Sequence, residues 1–273
     1  MSIDIQRIAN ERRADAVTMI TRARTGHTGG AMSCLDILST LFYGVMNINP
    51  KQPDMPTRDR FLLSKGHSVE GYFAILADLG FIEKAELREF SQTGSRLIGH
   101  PNNKVPGIEL CTGALGHGLS VGVGMALGAK RLNQSWNTFV VMGDGEQAEG
   151  SLWEAAMAAA NYNLDNLWAI IDRNHLQISG DTEDVMALDN LADKWRAFGW
   201  HVTELNGHDI PALLAYFGSD KREGKPHMLI AHTVKGKGLP FAENRAEWHH
   251  HVPSEDQLAL AYQALGVEGV SWA

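Results

Sequence analysis

Apolar positions along the chain fall into two rhythms. Between 3 and 24, Ile5, Ile8, Ala9, Ala16, Met19 and Ile20 recur near one helical face. Shorter runs at 61–63, 138–142, 167–171, 201–204 and 227–232 read as strands, most of them uninterrupted and so buried on both faces. Helices are expected over 33–46, with Ser33 as cap, and over 69–79, 119–132, 151–162, 188–198 and 210–217. The glycine-rich stretch 25–30 reads as a turn, and 49–60, with Pro50, Pro53 and Pro56, as a loop. The 25 residues 92–116 also read as a loop, long enough to be either functional or disordered. Alternating strands and helices predict an α/β fold: a doubly wound, mainly parallel sheet with helices on both faces, as one domain over 1–273.

Ligands of such sheets bind beyond the carboxyl ends of the strands. Four chemically suggestive clusters follow strand ends: Ser64-Lys65-Gly66-His67, Gly143-Asp144-Gly145, Asn174, and the 233–238 run with Lys235 and Lys237. Asn174 lies 30 positions after Asp144, so two adjacent strand ends can offer a carboxylate and an amide oxygen to one Mg²⁺. The flanking glycines let the backbone turn sharply and approach a diphosphate. Taken singly, Asp144 could cap a helix and Asn174 sit in a turn, and each histidine could be structural. It is spacing, strand context and glycines together that favour the metal.

A net charge of −8 argues against nucleic acid or an acidic membrane as partner. An anionic ligand then needs a metal, backbone N–H groups and local cations. Hydrophobic residues at 44% and charged residues at 21% fit a globular chain. Cys34 and Cys111 form no CxxC pair, there is no signal-peptide core, and no apolar run approaches the ~20 residues of a membrane span. A cytoplasmic location is expected.

These motifs resemble the diphosphate-binding domain of thiamine-diphosphate enzymes, specifically transketolases. Gly143-Asp144-Gly145-Glu146 with Asn174 is similar to the family's cofactor motif, and Gly26-His27, Ser64–His67 and Gly99-His100-Pro101 to its three histidine turns. Thr112-Gly113-Ala114-Leu115-Gly116, Lys235–Gly238 and Trp248-His249 follow in family order. The resemblance implies thiamine diphosphate with Mg²⁺ (or Ca²⁺ or Mn²⁺), the metal held by Asp144, Asn174 and the Leu176 carbonyl. It implies cofactor contacts from His67, Gly113, Ala114, Leu115, Gly145, Glu146, Asn174, Lys235 and His249. It implies catalytic roles for His27, His67, His100 and His249, and a place for Glu149 and Glu154 at a dimer interface.

The implied activity is transfer of a two-carbon ketol unit from a ketose phosphate to an aldose. The chain looks like the N-terminal subunit of a split transketolase. It would need a separate C-terminal subunit, expected as a heterotetramer of two chains of each kind. Alternatives are a 1-deoxyxylulose-5-phosphate synthase-like or 2-oxoacid dehydrogenase-type subunit, or a non-catalytic partner protein. A dinucleotide-binding domain is the weakest, since no GxGxxG opens a helix after the first strand. His250 stands where the family usually has glycine, His117 where it has glutamine, and Ser68 where alanine is common.

Overall fold

The computed structural model describes residues 3–219 and 223–272. Helix α1 (Ile5–Ala23) starts at Asp4, whose side chain accepts the Arg7 N–H, and ends at Arg24 in a left-handed conformation. The helix expected over 33–46 is broken and begins earlier. It consists of α2 (Thr28–Ser33), α3 (Leu35–Thr40) and one wide turn, Leu41–Val45. Gly29 and Gly30 lie inside α2 because the helix packs too tightly for side chains. A Cβ at Gly29 would stand 2.8 Å from the Trp248 carbonyl oxygen, and one at Gly30 2.7 Å from Ser68 Oγ. Ser33 is no cap; its hydroxyl donates to Asp172 at 2.6 Å.

Strand β1 (Arg60–Leu63) leads through a 3₁₀ turn, Gly66–Ser68, into α4 (Val69–Leu79). The long segment 92–116 holds no regular element among its residues, yet it is tied down. Leu97 and Val105 are buried, Tyr72 donates to the Gly107 carbonyl at 2.6 Å, and Thr112 to that of Leu63 at 2.7 Å. Then follow α5 (His117–Arg131), β2 (Thr138–Gly143), α6 (Gly150–Asn161), β3 (Leu167–Arg173), α7 (Thr182–Val185) and α8 (Leu191–Ala197). Strand β4 (His201–Asn206), α9 (Ile210–Gly218), β5 (His227–His232) and α10 (Glu255–Leu265) complete the order. α10, absent from the sequence expectations, opens on a capping box between Ser254 and Gln257.

Among the described residues the strands of the sheet pair in parallel, in the order β1-β2-β3-β5-β4. Successive strand residues feed opposite faces. Phe61, Leu63, Phe139, Val141, Trp168, Ile170, Leu229 and Ala231 pack with α1, α3, α4, α9 and α10. Leu62, Val140, Met142, Ala169, Ile171, Met228 and Ile230 pack with α5, α6 and α8. Both faces are therefore covered, which is why the inner strands read as unbroken apolar runs. β1 and β5 send the chain to the first face, β2 and β3 to the second. The chain diverges beside the β2 and β3 ends, and a crevice opens there.

Candidate active site

That crevice is a cleft of about 320 Å³ lined by the loops after β1, β2, β3 and β5. Asp144 is buried at the end of β2. Its Oδ1 accepts the Gly145 N–H at 2.8 Å, and its Oδ2 accepts the His175 N–H at 2.6 Å and the Arg173 guanidinium at 3.3 Å. Burial, then the Asp172 charge, push its carboxyl above the usual range, against the opposing pull of Arg173. Asn174 Oδ1 accepts the Leu176 N–H at 3.2 Å. The Leu176 carbonyl takes a bond from Lys235 Nζ at 3.1 Å. Asp144, Asn174 and Leu176, the residues expected to share a metal, all line the cleft. Among the described residues no three His, Cys, Asp or Glu side chains form a metal cluster.

Behind this floor lies a buried pair that sequence reasoning did not single out, Lys65 with Asp172. Asp172 also accepts hydrogen bonds from Ser33, Thr233 and, at 3.4 Å, Asn174 Nδ2. Lys65 holds the Asp172 carboxyl below its ordinary range despite burial. One carboxylate thus ties together α2, β1, β3 and the loop after β5. The available signal was a charge at the end of each of two apolar runs. The Lys235 loop is pinned from behind as well. The Val234 N–H donates to His208 Nε2 at 2.8 Å, so the His208 proton is on Nδ1, facing Asp36 Oδ2 at 2.6 Å. Arg13 grips the same Asp36 with two bonds, 2.7 and 2.9 Å.

Another part of the lining is imidazole. The His27 ring centroid lies 5.3 Å from that of His67, 6.1 Å from His100 and 5.6 Å from His249, and His67 stacks on His249 at 5.1 Å. The structure therefore brings all four expected histidines together and adds a fifth, His250, 4.6 Å from His27. The three consecutive histidines diverge: His249 enters the cleft, His250 meets His27, and His251 packs on Trp248 at 4.6 Å. Burial, with His250 and His100 nearby, lowers the His27 pKa to about 4. Burial and then Lys235 lower that of His249 to about 3. His67 is held well below the ordinary value by burial and Lys65, and burial also lowers His100. All four are neutral near pH 7, each with one donor and one acceptor nitrogen. His249 Nδ1 lies 3.0 Å from the Lys235 ammonium, so its proton is on Nε2.

Other expected residues are placed less uniformly. Gly113, Leu115, Gly145 and Lys235 line the cleft, but Ala114 does not: the turn before Gly116 sends its methyl group to solvent. Glu146 lines the cleft but spends its carboxylate on the scaffold, accepting from Ser64, the Gly116 N–H at 2.8 Å and the Gly143 N–H at 3.0 Å. Lys237 is half-exposed and 3.9 Å from Glu243, outside the cleft. Among the described residues, polar atoms buried without a partner in this region include Gln177 Nε2, His27 Nδ1, Glu70 Oε2 and Ser68 Oγ. Together with the Lys235 ammonium, the orphaned Gln177 amide fits a bound anion next to the three-oxygen floor.

The family model for the transketolase thiamine diphosphate-binding domain matches residues 4–271. The chain belongs to this transketolase family. An apulose-4-phosphate transketolase subunit of Phocaeicola vulgatus is 50% identical over 265 residues, 97% of this chain and 94% of that one. A 6-deoxy-6-sulfo-D-fructose transketolase subunit of Clostridium sp. is 38% identical, covering 98% of both chains. Transketolase from Campylobacter jejuni superposes with a TM-score of 0.94 at 30% identity, over 100% of this chain and 44% of that one. This transketolase-family chain thus spans less than half of that solved structure, but nearly the whole of relatives named as subunits. It corresponds to the thiamine diphosphate-binding subunit of a split transketolase, a transferase, and thiamine diphosphate is its cofactor. Among the described residues no helix is long and apolar enough to cross a membrane.

Proposed function

We propose that the whole of 1–273 acts as one cofactor-binding unit that completes an active site with a second, C-terminal-type subunit, as a cytosolic heterotetramer of two chains of each kind. The observation that carries this reading is the cleft itself, with a hard-oxygen floor and a lining of neutral imidazoles. Asp144, Asn174 and the Leu176 carbonyl would hold Mg²⁺, and Gly145, Gln177 and Lys235 the diphosphate. When bound, thiamine diphosphate supplies the carbanion chemistry that breaks and remakes the carbon–carbon bond next to a ketose carbonyl. This chain's own residues fix the diphosphate, exclude water and orient the sugar. His27, His67, His100 and His249 donate to hydroxyls and to the carbonyl oxygen as it gains charge, and return protons from neutral imidazole.

The donor is a ketose phosphate and the acceptor an aldose. Relatives at 50% and 47% identity bear the name apulose-4-phosphate transketolase, which makes apulose 4-phosphate the first donor to assay. The test mixes the purified chain with a C-terminal-type transketolase subunit, thiamine diphosphate and Mg²⁺, and follows ketol transfer. Transfer only by the mixture is expected. Turnover by this chain alone, or pyruvate outcompeting ketoses as donor, would sink the reading.

A further inference from the structure

Glu70 has no assigned task, yet it is fully buried in the first turn of α4, three residues after His67. Its Oε1 accepts the His27 backbone N–H at 2.8 Å, while its Oε2 has no partner. The turn ahead of His27 is moulded onto this carboxyl. Gly26 adopts φ +146°, and a Cβ there would stand 2.7 Å from Glu70 Oε1 and 2.6 Å from Ile20. A buried carboxyl with no ion pair is costly and calls for a reason. Burial pushes its pKa up to about 7, opposed by the amides of His27 and of Glu70 itself, and then by Lys65. Lys65 is committed to Asp172. The other charges packed around α4 are occupied elsewhere: Arg12, Lys84 and Tyr43 gather on Asp78 at its far end, Asp15 pairs with Arg12, and Asp36 of α3 with Arg13 and His208. α2 carries no titratable side chain apart from its capping neighbours.

We propose that Glu70 is the positioning residue for His27: its carboxyl clamps the Gly26-His27 turn to the start of α4 and so sets the His27 imidazole opposite those of His67 and His249. The ionised carboxylate is the stronger acceptor, so the clamp tightens as pH rises through neutrality. The role presumes the ketol transfer proposed above. In the assembled enzyme, Glu70→Gln is expected to lower kcat/KM about ten-fold and to remove a rise in the pH profile centred near 7. In a His27→Asn background the same substitution should cost almost nothing further, because both changes remove one effect. Costs that simply add would overturn the proposal, since a merely structural glutamate would hurt both backgrounds alike. A second measurement needs neither a variant nor turnover. In the wild-type chain labelled with ¹⁵N, the His27 amide proton should move downfield with a midpoint near pH 7, and a flat response would overturn it. Lack of transfer by the wild-type pair would instead count against the function itself and leave this resonance readable.

Discussion

The two walls of the cleft are built on opposite rules. On the floor, the oxygens of Asp144, Asp172 and Glu146 are held by backbone amides, hydroxyls or cations of the protein. On the histidine side, rings meet rings, and buried atoms such as His27 Nδ1 are left without a partner. A saturated site fixes geometry, because every alternative costs a hydrogen bond. An unsaturated site keeps its nitrogens for something that arrives. If the floor holds the cofactor and the histidines react, as proposed, substitutions on the two sides should fail differently.

The largest effect is expected from Asp144→Ala, which should abolish metal-dependent binding of thiamine diphosphate in calorimetry; unchanged affinity would remove the floor's proposed task. Next comes Lys65→Met, which leaves Asp172 buried and unpaired and should cost about 3–5 kcal/mol in urea unfolding. His67→Asn should lower kcat/KM by about 10²-fold while leaving cofactor affinity within a few-fold, and a matching loss of affinity would erase the distinction between the walls. Glu70 gives a pH signature of its own. Its folded pKa of about 7 lies above the unfolded value, so its contribution to stability is present below pH 4.5 and is lost as pH rises through 7. Relative to Glu70→Gln, the wild type should lose on the order of 3 kcal/mol over that window, measured by denaturation at both ends. His27 and His249 have the opposite sign. Their depressed values mean stability present above pH 6.5 and lost as pH falls toward 4. The smallest effect is expected from Lys237→Ala, which should leave cofactor affinity unchanged.

The floor was legible in the sequence because spacing encodes it. A parallel pair in register, with Gly143 opposite Asp172, converts positions 144 and 174 into neighbours. The histidines were legible only through their glycine-flanked motifs, since three come from distant loops. Ala114 shows the limit: a motif names residues but not which side of a turn each faces. Lys65, Asp172 and Glu70 escaped because their partners are long-range, and no local pattern pairs position 70 with 27. The expected helix over 33–46 broke for a related reason. Gly29 and Gly30 read as a turn, whereas a helix passes there within contact of two loops. α10 carried a readable capping box and an apolar face, Leu258, Ala261 and Leu265, that the strand-centred reading passed over.

The nitrogen of His208 that receives Val234 works as a clasp with a direction. It closes only on the lone pair of a ring nitrogen, which an aliphatic side chain does not have. Replacing that ring, as in His208→Leu, would therefore unhook the segment bearing Lys235 from the rear, at a point outside the cleft.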